Sequence, residues 1–432
     1  MFYQEEIECM NREKLRELQL ERMQNSVSNA YKAVNFYHER YDKEGVKPSD
    51  IKSLEDIQKF PFVEKQDLRD NYPYGLFAVP LEEAVRIHSS SGTSGQATLV
   101  GSTTNDLKVW ADCFARGISM VGGSASSVIQ VAYGYGLFTG GLGAHAGGEA
   151  MGCTVIPISS GNTQRQIQMI KDLKVNILCC TPSYALYIAD TAYEMGFDPR
   201  KDFELYGGIF GAEPASEALK KVIAEKLGIQ YCDVYGLSEI MGPGVAMECK
   251  EMAGLHFAED HFYPEIINPE TGEVLPDGEL GELVITTLTR ECCPLIRYRT
   301  HDLTRIISEP CPCGRTHRRI DHIAGRSDDM LIIRGVNVFP MQIEQVLASF
   351  DEISPHYEII VDRKGQLDTV ELKVETNPDF RFDEMRAIQN LTKRLAEALK
   401  QNTQIAIDVK IVEPQSIERS TGKASRVTDL RK

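Results

Sequence analysis

The sequence predicts an α/β protein in two unequal parts. A large N-terminal unit has mostly parallel sheets covered by helices and supplemented by β segments, and a small α+β unit follows at the C-terminus. Three observations predict this. Between residues 128 and 234, short strand-like apolar runs alternate with helical stripes, the pattern of a parallel sheet flanked by helices. From about residue 262 the texture changes to short β segments separated by turns. The last hundred or so residues carry alternating strands and a helical stripe of their own. A chain of 432 residues accommodates two or more domains, at roughly 150 residues each.

The elements follow in order. Leu15, Leu18, Met23, Val27, Ala30, Tyr31 and Val34 recur at mostly three- and four-residue spacings, which predicts a helix over 11–40. Ser53-Leu54-Glu55-Asp56 reads as a capping box opening a short helix that Pro61 closes. Thr104 is placed to cap a helix with the buried stripe Leu107, Trp110, Phe114, Ile118 and Val121. Strands are expected at 128–132, 154–158, 175–180, 205–210 and 229–234. Stripes such as Ile167, Ile170, Leu173 and Leu219, Val222, Ile223, Leu227 separate most of them. Further β segments are expected at 264–267 and 281–287, with a turn over 268–272. In the last part, 330–333 reads as a strand and Pro340 as a helix start. Val370, Leu372, Val374 and Ile405, Ile407, Val409, Ile411 alternate around the stripe Met385, Ile388, Leu391, Leu395, Leu399. The boundary falls near Asp328, giving domains 1–327 and 328–432.

Composition narrows the function classes. Hydrophobic content of 42% and charged content of 25% are ordinary for a globular protein. A net charge of −16 argues against nucleic acid as the main partner. The N-terminus lacks the basic and apolar regions of a signal peptide, and no apolar run approaches the ~20 residues of a membrane span. Eleven cysteines in such a chain read as reduced thiols or metal ligands, so a cytoplasmic location is expected.

One stretch dominates the chemistry: Ser89-Ser90-Ser91-Gly92-Thr93-Ser94-Gly95-Gln96-Ala97-Thr98. Its four serines, two threonines and two glycines can turn successive N–H groups and hydroxyls toward one point, an anion-binding nest suited to a polyphosphate. The P-loop pattern is excluded, because its glycine spacing and lysine are absent. A flexible Ser/Gly linker is the plain alternative. Glu239, in Tyr235-Gly236-Leu237-Ser238-Glu239, follows a strand and could hold magnesium. Asp302, in Tyr298-Arg299-Thr300-His301-Asp302, suits ribose hydroxyls, and Arg326, in Gly325-Arg326-Ser327-Asp328, suits a phosphate. Each alone also fits a surface ion pair or solvated loop carboxylate. Gly141-Leu142-Gly143-Ala144-His145-Ala146 fits G-x-G-x-x-G/A but follows another glycine-rich run instead of a strand, which disfavours a dinucleotide site.

The ordered set of Ser/Thr/Gly loop, Tyr-Gly-x-Ser-Glu, Tyr-Arg-x-x-Asp, Gly-Arg-x-Asp and Arg419-Ser420-Thr421-Gly422-Lys423 resembles the adenylate-forming (acyl-CoA synthetase, luciferase-like) superfamily. Within it the chain resembles the phenylacetate–CoA ligases, from about residue 54 to the C-terminus. The run from Ala132-Tyr133-Gly134-Tyr135-Gly136-Leu137-Phe138 to His145, with Phe210-Gly211-Ala212-Glu213-Pro214 and Arg334-Gly335-Val336-Asn337-Val338-Phe339-Pro340, carries that narrower likeness. The resemblance implies ATP-dependent ligation of an arylacetic acid, phenylacetate first, to coenzyme A through an acyl-adenylate. It implies ATP, Mg²⁺ and CoA as reactants and cofactor. The Ser90, Ser91, Gly92, Thr93, Ser94, Gly95 loop would hold the β- and γ-phosphates. Gly211, Ala212, Glu213, Pro214, Asp233 and Tyr235, with Gly236 and Ser238, would border ATP. Glu239 would bind magnesium, Asp302 the ribose, and Arg326 ribose or phosphate. Tyr133, Tyr135, Gly136 and Phe138 would line the aryl pocket, His145 being either near substrate or a packing residue. Asp328 would be the hinge of the small domain, and Lys423 would bridge the acid's carboxylate and the α-phosphate. The family loop commonly ends Gly-Lys-Pro; here it reads Gly95-Gln96-Ala97, which implies slower adenylation. Loading of a separate carrier protein, or nucleotide and aryl-acid binding with little turnover, remain the alternatives. Partners are otherwise small molecules, with neither nucleic acid nor membrane expected and a homodimer left open.

The cysteines form a separate expectation. Cys311-Pro312-Cys313-Gly314 resembles a shortened zinc knuckle, and Cys249 with His256 supplies a second pair for a closed structural zinc site. Cys292, Cys293 and His317 are rival ligands, and free thiols are the alternative.

Overall fold

The computed structural model describes residues 1–90, 97–327, 331–333, 336–364, 367–380, 382, 384–419 and 426–431. The expectations for Ser91, Gly92, Thr93, Ser94, Gly95, Asp328 and Lys423 lie outside the described residues.

The centre of the large domain is a nine-stranded sheet. Five strands run parallel in the spatial order Thr154–Ile156, Val128–Val131, Ile177–Cys180, Gly207–Gly211 and Gln230–Tyr235. Ala246–Glu248, Leu255–Phe257, Arg319–Ile320 and Ile306–Ile307 extend it antiparallel. The parallel strands are apolar on both faces because helices cover both. Leu178, Cys180, Phe210 and Tyr231 pack with Ile167, Tyr184 and Ile223 on one face. Their alternating neighbours Ile177, Cys179, Ile209 and Cys232 pack with Phe114, Ile118 and Ala144 on the other.

A second, antiparallel sheet has the order Phe262–Ile267, Gly281–Thr287, Tyr298–Thr304, Gly325–Arg326. N-terminal helices close it, Met23, Val27, Tyr37 and Tyr41 packing with Ile266, Leu283 and Ile285. The single helix expected over 11–40 is two helices, Arg12–Ala33 and Asn35–Glu44. Val34 between them is extended, at φ −122° and ψ 113°. Thr103, not Thr104, caps the next helix: its hydroxyl accepts from the Asp106 N–H at 3.1 Å, and the Asp106 carboxylate accepts from the Thr103 N–H at 3.0 Å. That helix carries the one tryptophan of the chain. Trp110 is buried, its indole N–H donates to the Pro243 carbonyl at 2.8 Å, and His88 meets its ring edge-on at 5.4 Å. Gly143 and Gly242 give it room, since a Cβ there would lie 2.5 and 2.4 Å from the ring.

The small domain has its own core, drawn from residues between Leu331 and Val427. Ile353–Lys364 and Leu367–Thr376 pair antiparallel, and Val427–Asp429 and Asp408–Val412 add in parallel on either side. The helix Met385–Thr403 lays Leu391, Leu395 and Leu399, one turn apart, onto this sheet. Each such burial is worth about 1.5–3 kcal/mol. A glutamate from this domain reaches the large one. The Glu344 carboxylate accepts from the Ser216 backbone N–H at 2.9 Å and from the Tyr357 hydroxyl at 2.7 Å, and Arg426 donates to it.

Candidate active site

The crevice outside the carboxyl ends of the parallel strands is where such sheets place ligands. Gly207–Gly211 and Gln230–Tyr235 are neighbours, with Gly211 opposite Val234, so the segments Ala212-Glu213-Pro214 and Gly236-Leu237-Ser238-Glu239 leave the sheet side by side. Ala212 is held at φ +71°, a left-handed conformation that a residue with a Cβ seldom adopts and that is concentrated at functional sites. The Glu213 carboxylate accepts from the backbone N–H of Ser183, at 2.7 Å, and from its hydroxyl, at the start of the helix Pro182–Glu194. Asp233 lies 3.0 Å from the buried ammonium of Lys220.

The second sheet delivers the remaining polar groups. Asp302 and Arg326 are cross-strand partners, joined at 3.0 Å from Arg326 Nη1 to Asp302 Oδ1. The Tyr235 hydroxyl donates to Asp302 Oδ2 at 2.6 Å. Burial, then the Asp302 charge, hold that phenol well above its ordinary range, so it stays a donor. A carboxylate has about four acceptor sites and takes hydrogen bonds from several donors at once. Glu239 is buried, 4% exposed, and accepts from the Thr98 hydroxyl at 3.3 Å; Thr98 is in turn 2.6 Å from the Ser90 hydroxyl. Ser90 and Thr98, which flank the loop, therefore pair with each other, and Thr98 in turn meets Glu239. Ser238 touches Thr139, Oγ to Oγ1, at 3.2 Å. Lys65, which sequence reasoning missed, places its ammonium 3.2 Å from Glu239 Oε1.

Next to the crevice, the segment after the Val128–Val131 strand holds the expected aryl-pocket residues. Tyr135 is half-buried, its hydroxyl 3.3 Å from His145 Nδ1, while His145 Nε2 lies 3.0 Å from Glu149. Phe138 is 41% exposed and Gly136 is at φ +132°. Tyr133 is in the core, its hydroxyl donating to the Ile209 carbonyl at 3.3 Å.

A second constellation lies elsewhere in the large domain. Cys249, His256, Cys311 and Cys313 bring four potential ligand atoms within 4.8 Å of one another. Cys249 Sγ and Cys311 Sγ are 3.7 Å apart, and Cys313 Sγ is 3.4 Å from His256 Nε2. Zn–S bonds of ~2.3 Å and a Zn–N bond of ~2.0 Å at a tetrahedral centre impose edges of about 3.8 and 3.5 Å. The geometry fits zinc. His256 Nδ1 lies 3.3 Å from the His317 carbonyl, which leaves Nε2 as the ligand atom. Of the rivals, His317 engages the Phe257 and Ile7 carbonyls at 3.1 Å each, and Cys292 and Cys293 are not in the cluster.

A buried carboxylate beside Thr98 and Ser90, with an Asp–Arg–Tyr cluster beyond the carboxyl ends of the parallel strands, is the arrangement expected of an AMP-binding, adenylate-forming enzyme. A family model described as AMP-binding enzyme matches residues 85–288, and one described as AMP-binding enzyme C-terminal domain matches 335–431. A phenylacetate-coenzyme A ligase of Aromatoleum evansii is 51% identical over 99% of this chain and 97% of its own length. One from Thermus thermophilus is 49% identical over the full length of both. The chain belongs to the phenylacetate–coenzyme A ligase family. Among solved structures, a 2-hydroxyisobutyryl-CoA ligase in its post-adenylation state, bound to 2-HIB-AMP, is 29% identical, covers 99% of this chain and 92% of its own, and superposes with a TM-score of 0.92. The same ligase in its thioesterification state, with CoA, superposes at 0.72.

Proposed function

We propose that this enzyme ligates an arylacetic acid, phenylacetate first, to coenzyme A, with ATP split to AMP and pyrophosphate. The observation that carries the reading is the convergence of Ala212–Pro214, Gly236–Glu239, Asp302 and Arg326, from two sheets, on one crevice. Family membership over nearly the whole chain supports the same chemistry. A carboxylate is a poor acyl donor because its leaving group would be oxide. In the first half-reaction a carboxylate oxygen bonds to the α-phosphorus and pyrophosphate leaves. In the second, the CoA thiol loses its proton, its sulfur bonds to the acyl carbon, and AMP leaves.

The chain's residues divide this work. Gly211, Ala212, Glu213, Pro214, Asp233, Tyr235, Gly236 and Ser238 border the nucleotide. Asp302, steadied by Tyr235 and Arg326, receives the ribose hydroxyls. The Ser90–Gly95 loop binds the β- and γ-phosphates. Glu239 and the Thr98 hydroxyl are hard oxygen donors suited to magnesium, which when bound offsets charge on the phosphates. Lys423 bridges carboxylate and α-phosphate in the first half-reaction only, and Asp328 is the pivot between the two. Tyr135, Gly136 and Phe138 border the aryl group, with Tyr133 behind them. Cys249, His256, Cys311 and Cys313 hold a structural zinc ion. Eleven unpaired cysteines support a cytoplasmic location, where thiols stay reduced.

Incubation with phenylacetate, MgATP and CoA tests the reading. Thioester with stoichiometric AMP and pyrophosphate is expected. Pyrophosphate exchange without thioester would instead indicate a carrier-loading enzyme, and binding without either product a protein that has lost turnover.

A further inference from the structure

Adenylation brings a carboxylate toward a triphosphate, so cations near the departing pyrophosphate lower the barrier. The phosphate loop of this chain has Gln96 in the place where lysine would follow the second glycine. Yet an ammonium is at hand. Lys65 Nζ is 3.2 Å from Glu239 Oε1, the same oxygen that accepts from Thr98, and Thr98 touches Ser90 at the loop's start.

The root of this lysine is fixed. Val63 forms a parallel bridge to Tyr298; its N–H donates to the Arg297 carbonyl at 3.0 Å, and its carbonyl accepts from Arg299 at 2.9 Å. Tyr298 opens the strand that carries Asp302, so the segment enters the crevice alongside the ribose-facing carboxylate. Glu64 then caps the helix Lys65–Asp70, with Lys65 as its first residue. The Lys65 side chain is 37% exposed and Glu239 only 5%. A carboxylate so buried needs a partner, and the lysine supplies one. Its flexible four-carbon stem leaves the charge free to turn from Glu239 to a second anion within reach.

We infer that Lys65 supplies, from the N-terminal part of the chain, the cation that meets the β- and γ-phosphates of ATP during adenylation, in the role Gln96 does not fill. This rests on the nucleotide placement proposed above. A purely structural Lys65–Glu239 pair makes a different forecast. It would touch every liganded state alike, whereas a phosphate-binding Lys65 distinguishes ATP from AMP.

The experiment compares wild type with Lys65→Ala, Lys65→Gln and Lys65→Arg by calorimetric titration with α,β-methylene-ATP and with AMP, magnesium present. Loss of one charge-assisted contact should weaken the ATP analogue about tenfold or more in the Ala and Gln variants and leave AMP within about twofold. Pyrophosphate exchange should fall about a hundredfold in the same variants, while thioester formation from pre-made phenylacetyl-adenylate and CoA stays within about twofold. Lys65→Arg should recover most of the analogue's affinity. Lys65→Gln keeps a hydrogen bond to Glu239 without the charge and serves if the Ala variant does not fold. Equal weakening of both nucleotides, or of neither, overturns the role. If wild type exchanges no pyrophosphate with arylacetates, the substrate reading fails on its own, and the two titrations still judge Lys65.

Discussion

Glu259 has a side chain with no exposure, and two guanidinium groups hold it. Arg318 donates to it through its backbone N–H at 2.6 Å and Nε at 2.8 Å, and Arg12 donates from the N-terminal helix. Burial alone would raise this carboxyl, but Arg318 and then Arg12 bring it down to about 2 from an ordinary 4.5. A depressed carboxyl stabilises the fold fully above its unfolded value and loses that contribution as pH falls through the folded one. The loss here runs from pH 4.5 down toward 2. Arg12→Ala removes one of the two cations, so acid unfolding should begin at higher pH. Because the Arg12 side chain is 36% exposed and Arg318 remains, the cost at neutral pH should be only about 1 kcal/mol. Circular dichroism across an acid titration checks both; an unmoved midpoint would mean that Arg318 alone suffices.

At the scale of elements, the Cys311–Cys313 turn does more than gather ligands. The residues that follow it grip the N-terminus: Arg315 pairs with Glu8 at 2.6 Å, Thr316 donates its N–H to the Glu8 carbonyl at 3.0 Å, and His317 reaches the Ile7 carbonyl. A metal that fixes the turn would therefore also fix the first helices. Purified protein should contain one zinc per chain. Cys311→Ser with Cys313→Ser should lose it, lower the melting temperature and expose residues 1–20 to limited proteolysis. Metal analysis well below one zinc in wild type would remove the proposal. This grip was invisible in sequence, because Glu8 and Arg315 are 307 positions apart and neither sits in a motif. The parallel strands were legible, since runs such as Ile177–Cys180 are apolar throughout and helical stripes separate them. The 11–40 helix was overextended because Val34 keeps the helical spacing while its backbone is extended. Glu239, Asp302 and Arg326 stood out from local motifs, and the structure brings Asp302 and Arg326 into contact. Lys65 carried no signal, for its place beside Glu239 depends on the Val63–Tyr298 bridge, a long-range contact with no local signature.

For the whole molecule, the question is how one crevice serves two nucleophiles. The small domain carries a separate core and meets the large domain through polar contacts, among them Glu344 to the Ser216 N–H and Gln415 to Glu194 at 2.8 Å. Such contacts are exchangeable, as an apolar interface of similar size would not be. The chain superposes more closely on the post-adenylation ligase than on the thioesterification one, 0.92 against 0.72, and Glu344–Ser216 is a contact of the arrangement this chain adopts. Glu344→Ala should slow adenylation about tenfold, the equivalent of one lost buried hydrogen bond. Lys423→Ala should slow it about a hundredfold, as removal of a transition-state charge does. In both variants, thioester formation from supplied phenylacetyl-adenylate should proceed near the wild-type rate. Single-turnover assays of each half-reaction separate the two, and equal losses in both halves would tell against rotation.

The lone tryptophan has a further consequence. Trp110 is wedged between Gly143, on the helix after Tyr133–Phe138, and Gly242, just beyond Glu239, with the His88 ring against its edge one residue before the serine-rich loop. Its fluorescence thus comes from a single place, with no second indole to dilute the signal. Imidazole is a quencher whose efficiency changes with contact and protonation. Light emitted by the native chain becomes a built-in, label-free optical gauge of that one junction, readable in a stopped-flow mixing chamber.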